Sequence, residues 1–140
     1  MHVRVIAVGK LREPYLIAAA DDFRRRLRPY HRLEEIEVRD DEAIVRQLAP
    51  HDHVWLLERT GTQFSSPELA QRIEQLAIEG TSHLTFVVAG TFGASPELVQ
   101  RANVLWSLSQ LTFLHEWARI IVLEQLYRAA KIAKNEPYHH

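Results

Sequence analysis

Apolar and polar positions fall into blocks whose period switches repeatedly between that of a strand and that of a helix. Val3 to Val8 is a short β-branched run ended by Gly9, which predicts a strand. Pro14 suits the first turn of a helix, and Tyr15, Leu16, Ala19, Phe23 and Leu27 keep helical spacing up to Pro29. Leu33, Ile36 and Val38 predict a second strand, Asp40 to Ala49 a short helix stopped by Pro50, and Val54 to Leu57 a buried strand. Ser65 or Ser66 caps the next helix, with Pro67 at its first position. Leu69, Ile73, Leu76 and Ala77 form its apolar face, and Gly80 ends it. Leu84 to Ala89 is the clearest strand and runs into the loop Gly90-Thr91-Phe92-Gly93. Ser95-Pro96 opens a helix to about Ala102, Val104 to Leu108 reads as a last strand, and a long helix runs from Leu114 to about Lys134.

Strands and helices in alternation predict an α/β fold with a mostly parallel sheet, and no repeat or linker divides residues 1–140. The last helix stands apart. Trp117, Ala118, Ile120, Ile121, Val122, Leu123, Leu126, Tyr127, Ala129, Ala130 and Ile132 cover nearly its whole circumference. Such a helix must be covered on more than one side. A second protomer would do this in a domain so small, and so would a central place within its own chain.

Composition narrows the function. The chain holds 140 residues, 46% hydrophobic and 25% charged, which fits one soluble domain. It has no cysteine, which excludes disulfides, a thiol nucleophile and cysteine metal sites. The opening Met1 to Ile6 lacks the pattern of a signal peptide, and no window approaches eighteen apolar residues, so a cytoplasmic location off the membrane is expected. The net charge of −1 hides local clusters. Arg24, Arg25, Arg26, Arg28 and Arg32 precede an acidic stretch from Glu34 to Glu42, and Arg119, Arg128, Lys131 and Lys134 make the end basic. For any one cluster a solvated helix face is the first reading; together they are also compatible with phosphate binding on one face.

Several chemistries fail on the residues. His115-Glu116-Trp117-Ala118-Arg119 approaches the zinc-protease pattern, but the second imidazole is replaced by Arg119, which cannot ligate, so no metal is expected. No serine-hydrolase elbow, P-loop or G-x-G-x-x-G dinucleotide motif occurs. Two loops and the tail remain. Ala89-Gly90-Thr91-Phe92-Gly93 follows a buried strand, where glycines let a ligand approach the backbone, although a plain tight turn reads the same way. Leu108-Ser109-Gln110-Leu111-Thr112-Phe113 carries no charge and suits a flat neutral ring, or lies against the core as an ordinary loop. The tail is Asn135-Glu136-Pro137-Tyr138-His139-His140.

These pieces together resemble the small SPOUT methyltransferases that act on large-subunit ribosomal RNA, the ribosomal RNA large subunit methyltransferase H family. The likeness covers nearly the whole chain. It takes in Val5 to Leu11, Leu57 with Ser65 to Ala70, and Phe86 to Gly93. It is strongest at the end, in Leu108 to His115, Arg119, Leu123 to Ala129, Lys131-Ile132 and Pro137-Tyr138-His139. The resemblance implies methylation of N3 of a pseudouridine in 23S ribosomal RNA, with S-adenosyl-L-methionine as cofactor, by a homodimer with a C-terminal trefoil knot. Cofactor contacts would come from Leu57, Ala89, Gly90, Leu108, Ser109, Gln110, Leu111, Thr112 and Phe113. Tyr138 and His139 would serve catalysis, and Arg119, Arg128 and His140 the substrate RNA. The chain departs from the family pattern at Ala89, where glycine is usual, at the bulky Phe92, at Leu114 in place of proline, at His140 in place of a basic residue, and in a shorter segment between the second and third strands.

A sulfonium methyl is already activated, so the protein must chiefly align it with the attacking nitrogen. The N3–H of a uracil-type ring must also lose its proton, which suits a base such as His139. Two rivals stay open: a ribosome- or RNA-binding module of the same fold without catalysis, and another transferase or hydrolase on the same topology.

Overall fold

The computed structural model describes residues 1–138. Five strands form one sheet: β1 (His2–Val8), β2 (Arg32–Val38), β3 (His53–Thr62), β4 (His83–Val88) and β5 (Val104–Trp106). Their order is β2-β1-β4-β3-β5 and every pairing is parallel. Five helices connect and close them: α1 (Pro14–Leu27), α2 (Asp41–Gln47), α3 (Ser66–Ile78), α4 (Pro96–Arg101) and α5 (His115–Ala133).

Alternation along the strands divides the core in two. Val3, Val5, Trp55, Leu84, Phe86 and Trp106 face α1, α3 and α5. Ile6, Val54, Leu56 and Val87 face Ile44 of α2 and Leu98 of α4. Period-2 strands buried on both faces read as continuous apolar runs, which is why β4 is the clearest strand in the sequence. The helix starts follow local chemistry. Asp40, Ser65 and Ser95 each accept a backbone N–H at the start of their helix, and Ser65 with Glu68 completes a capping box. The shortened segment between β2 and β3 therefore still holds a helix.

Three boundaries differ from the sequence reading. β3 continues to Thr62 instead of ending at Leu57, with a register shift between the two. Its far end hooks around β5, where Ser107 donates its backbone N–H to Thr62 O at 2.8 Å. The approach requires glycine at 61, since a Cβ there would lie 2.4 Å from the Leu105 carbonyl oxygen. β5 stops at Trp106, because Ser107 Oγ turns to Ser109 O and Ser109 Oγ accepts Leu111 N–H. The short helix after Asp40 ends at Gln47. Helix α5 packs against α1, α3 and β4, so its own chain covers most of its apolar circumference. An outer strip stays open, where Trp117 is 43% exposed beside Tyr15 at 5.9 Å.

Candidate functional site

The carboxyl ends of β3, β4 and β5 open into a cleft of about 550 Å³. In doubly wound sheets this is the edge where ligands bind. Eight of the nine residues expected to contact a cofactor line it: Leu57, Ala89, Gly90, Leu108, Ser109, Leu111, Thr112 and Phe113. The ninth, Gln110, lines an adjoining cavity instead. Sequence reasoning missed Glu58, Arg59, Trp106, Leu114, His115 and Ala118, which also border the cleft. Glu58 and Arg59 were hidden because β3 was thought to end just before them.

Both loops of the cleft are held from behind. Asp41 accepts the backbone N–H groups of Gly90 at 3.4 Å and Ser95 at 2.8 Å, which ties the glycine-rich loop to α2. A Cβ on Gly90 would meet the Val8 side chain at an ordinary 3.6 Å. Ala89 does not have positive φ, so its methyl fits without strain, and Phe92 is fully exposed and does not border the cleft. Two of the departures from the family pattern thus leave the cleft clear. Glu58 accepts both the backbone N–H and the hydroxyl of Thr60, at 2.5 and 2.7 Å. These bonds, the hydroxyl first, hold its carboxyl below the usual range, so it is ionised at neutral pH. Glu58 is the one carboxylate among the described residues bordering the cleft.

The start of α5 is clasped to the loop after β1. Glu116 accepts the backbone N–H groups of Arg12 and Glu13, at 2.6 and 3.4 Å, and Glu37 accepts that of Leu11. Arg119 completes the clasp. It is 5% exposed and donates to Glu37 at 2.7 Å, with Glu35 at 3.5 Å. Its guanidinium is buried between two carboxylates, so in the chain as described it offers nothing to an RNA phosphate. The arginine cluster is similarly engaged: Arg24 pairs with Asp21 and Glu35, and Arg25 and Arg26 with Asp22.

The tail is fixed at least as far as Tyr138. Asn135 takes a left-handed φ of 54°, and Glu136 N–H returns to the Lys131 carbonyl, closing the helix end. Tyr30 donates to Glu136 at 2.8 Å. Tyr138 packs edge-on against Tyr127 at 4.8 Å, carries the Arg128 guanidinium over its ring at 4.7 Å, and donates weakly to Glu124 at 3.5 Å. Burial, and then the Glu124 charge, raise the Tyr138 phenol above its ordinary value, so it stays protonated at neutral pH. Arg128 also pairs with Glu124 at 3.2 Å. His139 and His140 lie outside the described residues.

Comparison with known proteins extends this picture. The family model described as "Predicted SPOUT methyltransferase" matches residues 1–139. A protein of Natranaerobius thermophilus named ribosomal RNA large subunit methyltransferase H is 42% identical, over 100% of both chains. A Gloeobacter violaceus protein of that name is also 42% identical, over 100% of this chain and 99% of its own. One from Desulfitobacterium hafniense is 36% identical over 99% of each. Among solved structures, a probable methylase family protein from Haemophilus influenzae superposes with a TM-score of 0.54 at 12% identity. It covers 95% of this chain and 66% of that one, a likeness of fold alone. With a matching family model and relatives of this identity both running essentially from end to end, the chain belongs to the SPOUT methyltransferase family.

Proposed function

We propose that this protein methylates N3 of a pseudouridine in the large-subunit ribosomal RNA of the bacterial cytoplasm, using S-adenosyl-L-methionine and acting as a homodimer. The observation that carries this reading is the convergence of the loops 89–93 and 108–113 on one cleft, in a chain whose full-length relatives bear that name. The cleft fits the cofactor in size and chemistry. Its volume lies in the range of small-molecule sites, its walls are largely apolar, and the ionised Glu58 offers a partner to a cationic ligand. Ala89, Gly90 and the 108–113 loop would hold the cofactor, which supplies an electrophilic methyl group.

The acceptor of that methyl group would be N3 of the ring, which must give up its proton. The N3 proton passes to a base, and His139, next along the chain from Tyr138, takes that role. Tyr138, kept protonated, acts as a hydrogen-bond donor, and Arg128 beside it serves the RNA backbone together with His140.

Distance supports the dimer. Tyr138 contacts α5 at Glu124, Tyr127 and Arg128, whereas the cleft touches α5 at His115 and Ala118. At 1.5 Å per residue these stations are roughly 9 to 20 Å apart along the helix. A tail anchored there serves the cleft of a second copy better than its own. The exposed Tyr15, Leu114 and Trp117 supply an apolar surface for that contact, and the knot implied by the family concerns the same C-terminal end. Calorimetric titration with S-adenosyl-L-methionine should give saturable binding, and light scattering should give twice the mass of one chain. A monomer that binds no cofactor, even with ribosomes present, would refute the reading.

A further inference from the structure

A second cavity, of about 560 Å³, adjoins the cleft and is lined by Arg59, Thr60, Gly61, Gln63 and Gln110. The two spaces share Arg59, and Gln110 stands between Ser109 and Leu111, which border the cleft. The two spaces therefore meet at the Arg59 side chain. The wall is preorganised. The hook of β3 is fixed by the Ser107–Thr62 bond and by the close passage of Gly61 over Leu105, and Glu58 gathers both polar groups of Thr60. Arg59 sits within that rigid turn.

The lining has a specific chemistry. Arg24, Arg25, Arg26, Arg46, Arg119 and Arg128 each pair with a carboxylate. Arg59, like Arg12, Arg28, Arg32, Arg72 and Arg101, makes no ion pair within 4 Å among the described residues; it reaches a neutral hydroxyl, Thr112 Oγ1 at 3.5 Å, and feels the Glu58 carboxylate only at longer range. No acidic side chain lines this cavity. A guanidinium so placed suits a phosphate. Gln63 and Gln110 each present a carbonyl acceptor beside an amide donor. That pair complements the adjacent N1–H and C2=O of a pseudouridine ring, an edge uridine lacks because its N1 carries the sugar. Recognition at that edge also leaves N3 free for the cofactor.

We propose that this second cavity receives the target nucleotide, with a phosphate on Arg59 and the N1–H/C2=O edge of the ring on the amides of Gln63 and Gln110. The proposal deepens the function proposed above and rests on it. It assigns Gln110 to the substrate, not to the cofactor.

The test is steady-state methylation of ribosomes that lack the methyl group, prepared with either pseudouridine or uridine at the target. Arg59→Ala should raise KM for ribosomes about tenfold and lower the slope of log affinity against log salt by about one. Arg59→Lys should restore the salt slope. A Gln63→Leu/Gln110→Leu double variant should lose about tenfold of the preference for pseudouridine over uridine, with its melting temperature unchanged. Wild-type KM and slope in Arg59→Ala, or an unaltered preference in the double variant, would overturn the subsite while leaving the methyltransferase reading intact. A wild-type protein that transfers no methyl group to either ribosome would overturn both.

Discussion

The two ends of the same sheet are built for different purposes. At the amino edge, polar groups are tied to one another. Arg4 of β1 bonds Asp52 at 3.2 Å and the Gln47 carbonyl at 3.1 Å, Asp52 accepts the Ala49 N–H at 2.8 Å, and Arg101 donates to the carbonyls of Ala49 and Asp52. His2 and His51 meet His83 nearby, tilted and edge-on, with ring centroids 5.1 and 4.5 Å apart. At the carboxyl edge, loops diverge around an open cleft, and exposed apolar side chains such as Leu111 and Leu114 border it. The difference teaches where stability and function reside: changes at the amino edge should unfold the protein without touching its ligand, and changes at the carboxyl edge should do the reverse.

Asp52→Ala is the strongest attack on the amino edge. The Asp52 side chain is fully buried, and its removal leaves the Ala49 N–H without its acceptor and Arg4 with only the half-exposed Glu34, at 3.5 Å, as a charged partner. A loss of about 1–3 kcal/mol in urea unfolding is expected, with cofactor affinity intact at low temperature. His31 offers a reversible attack on the same edge. Burial first, and the amino terminus second, lower its pKa from 6.5 to about 4. The folded state thus favours the neutral ring. The stability this confers is fully present above pH 6.5 and is lost as the pH falls through 4, by up to roughly 3 kcal/mol. Melting temperatures measured across that window should fall less steeply in His31→Leu than in the wild type.

At the carboxyl edge the order of effects inverts. Gly90→Leu puts a bulky side chain on the loop that lines the cleft, against Val8, and should weaken S-adenosyl-L-methionine about a hundredfold or more, equivalent to roughly 2.7 kcal/mol. Gly90→Ala should bind nearly as well as wild type, since its methyl finds 3.6 Å of clearance from Val8. Ser65→Ala removes the capping box of α3 and should cost only about 1 kcal/mol of stability. Cofactor binding that tracks stability across all these variants would dissolve the distinction between the edges.

Much of this architecture was legible in the chain. Runs such as Val3–Val8 and Leu84–Ala89, and the caps at Ser65 and Ser95, declare their elements locally, so their order and the α/β class could be read directly. What stayed hidden depends on distant partners. Nothing around Arg119 announces that it pairs with Glu37, 82 residues earlier, and a basic residue on a helix reads as a surface contact until the sheet brings β2 beneath it. The hook of β3 around β5 was hidden for the same reason, since Glu58 to Thr62 is polar and becomes strand only through β5. Glu58 and Arg59 entered the site with it. The grouping of the two loops was legible through family likeness, whereas Gln110 could be separated from its neighbours only once the cavities were seen.

The most direct test of the account is transfer of a labelled methyl group from S-adenosyl-L-methionine to ribosomes from cells that lack this modification, followed by nucleoside analysis of the large-subunit RNA. The account predicts label in a single N3-methylated pseudouridine, absent with Gly90→Leu and with His139→Ala. No label in the RNA, with the cofactor bound and the protein dimeric, would contradict it and leave a binding module without catalysis.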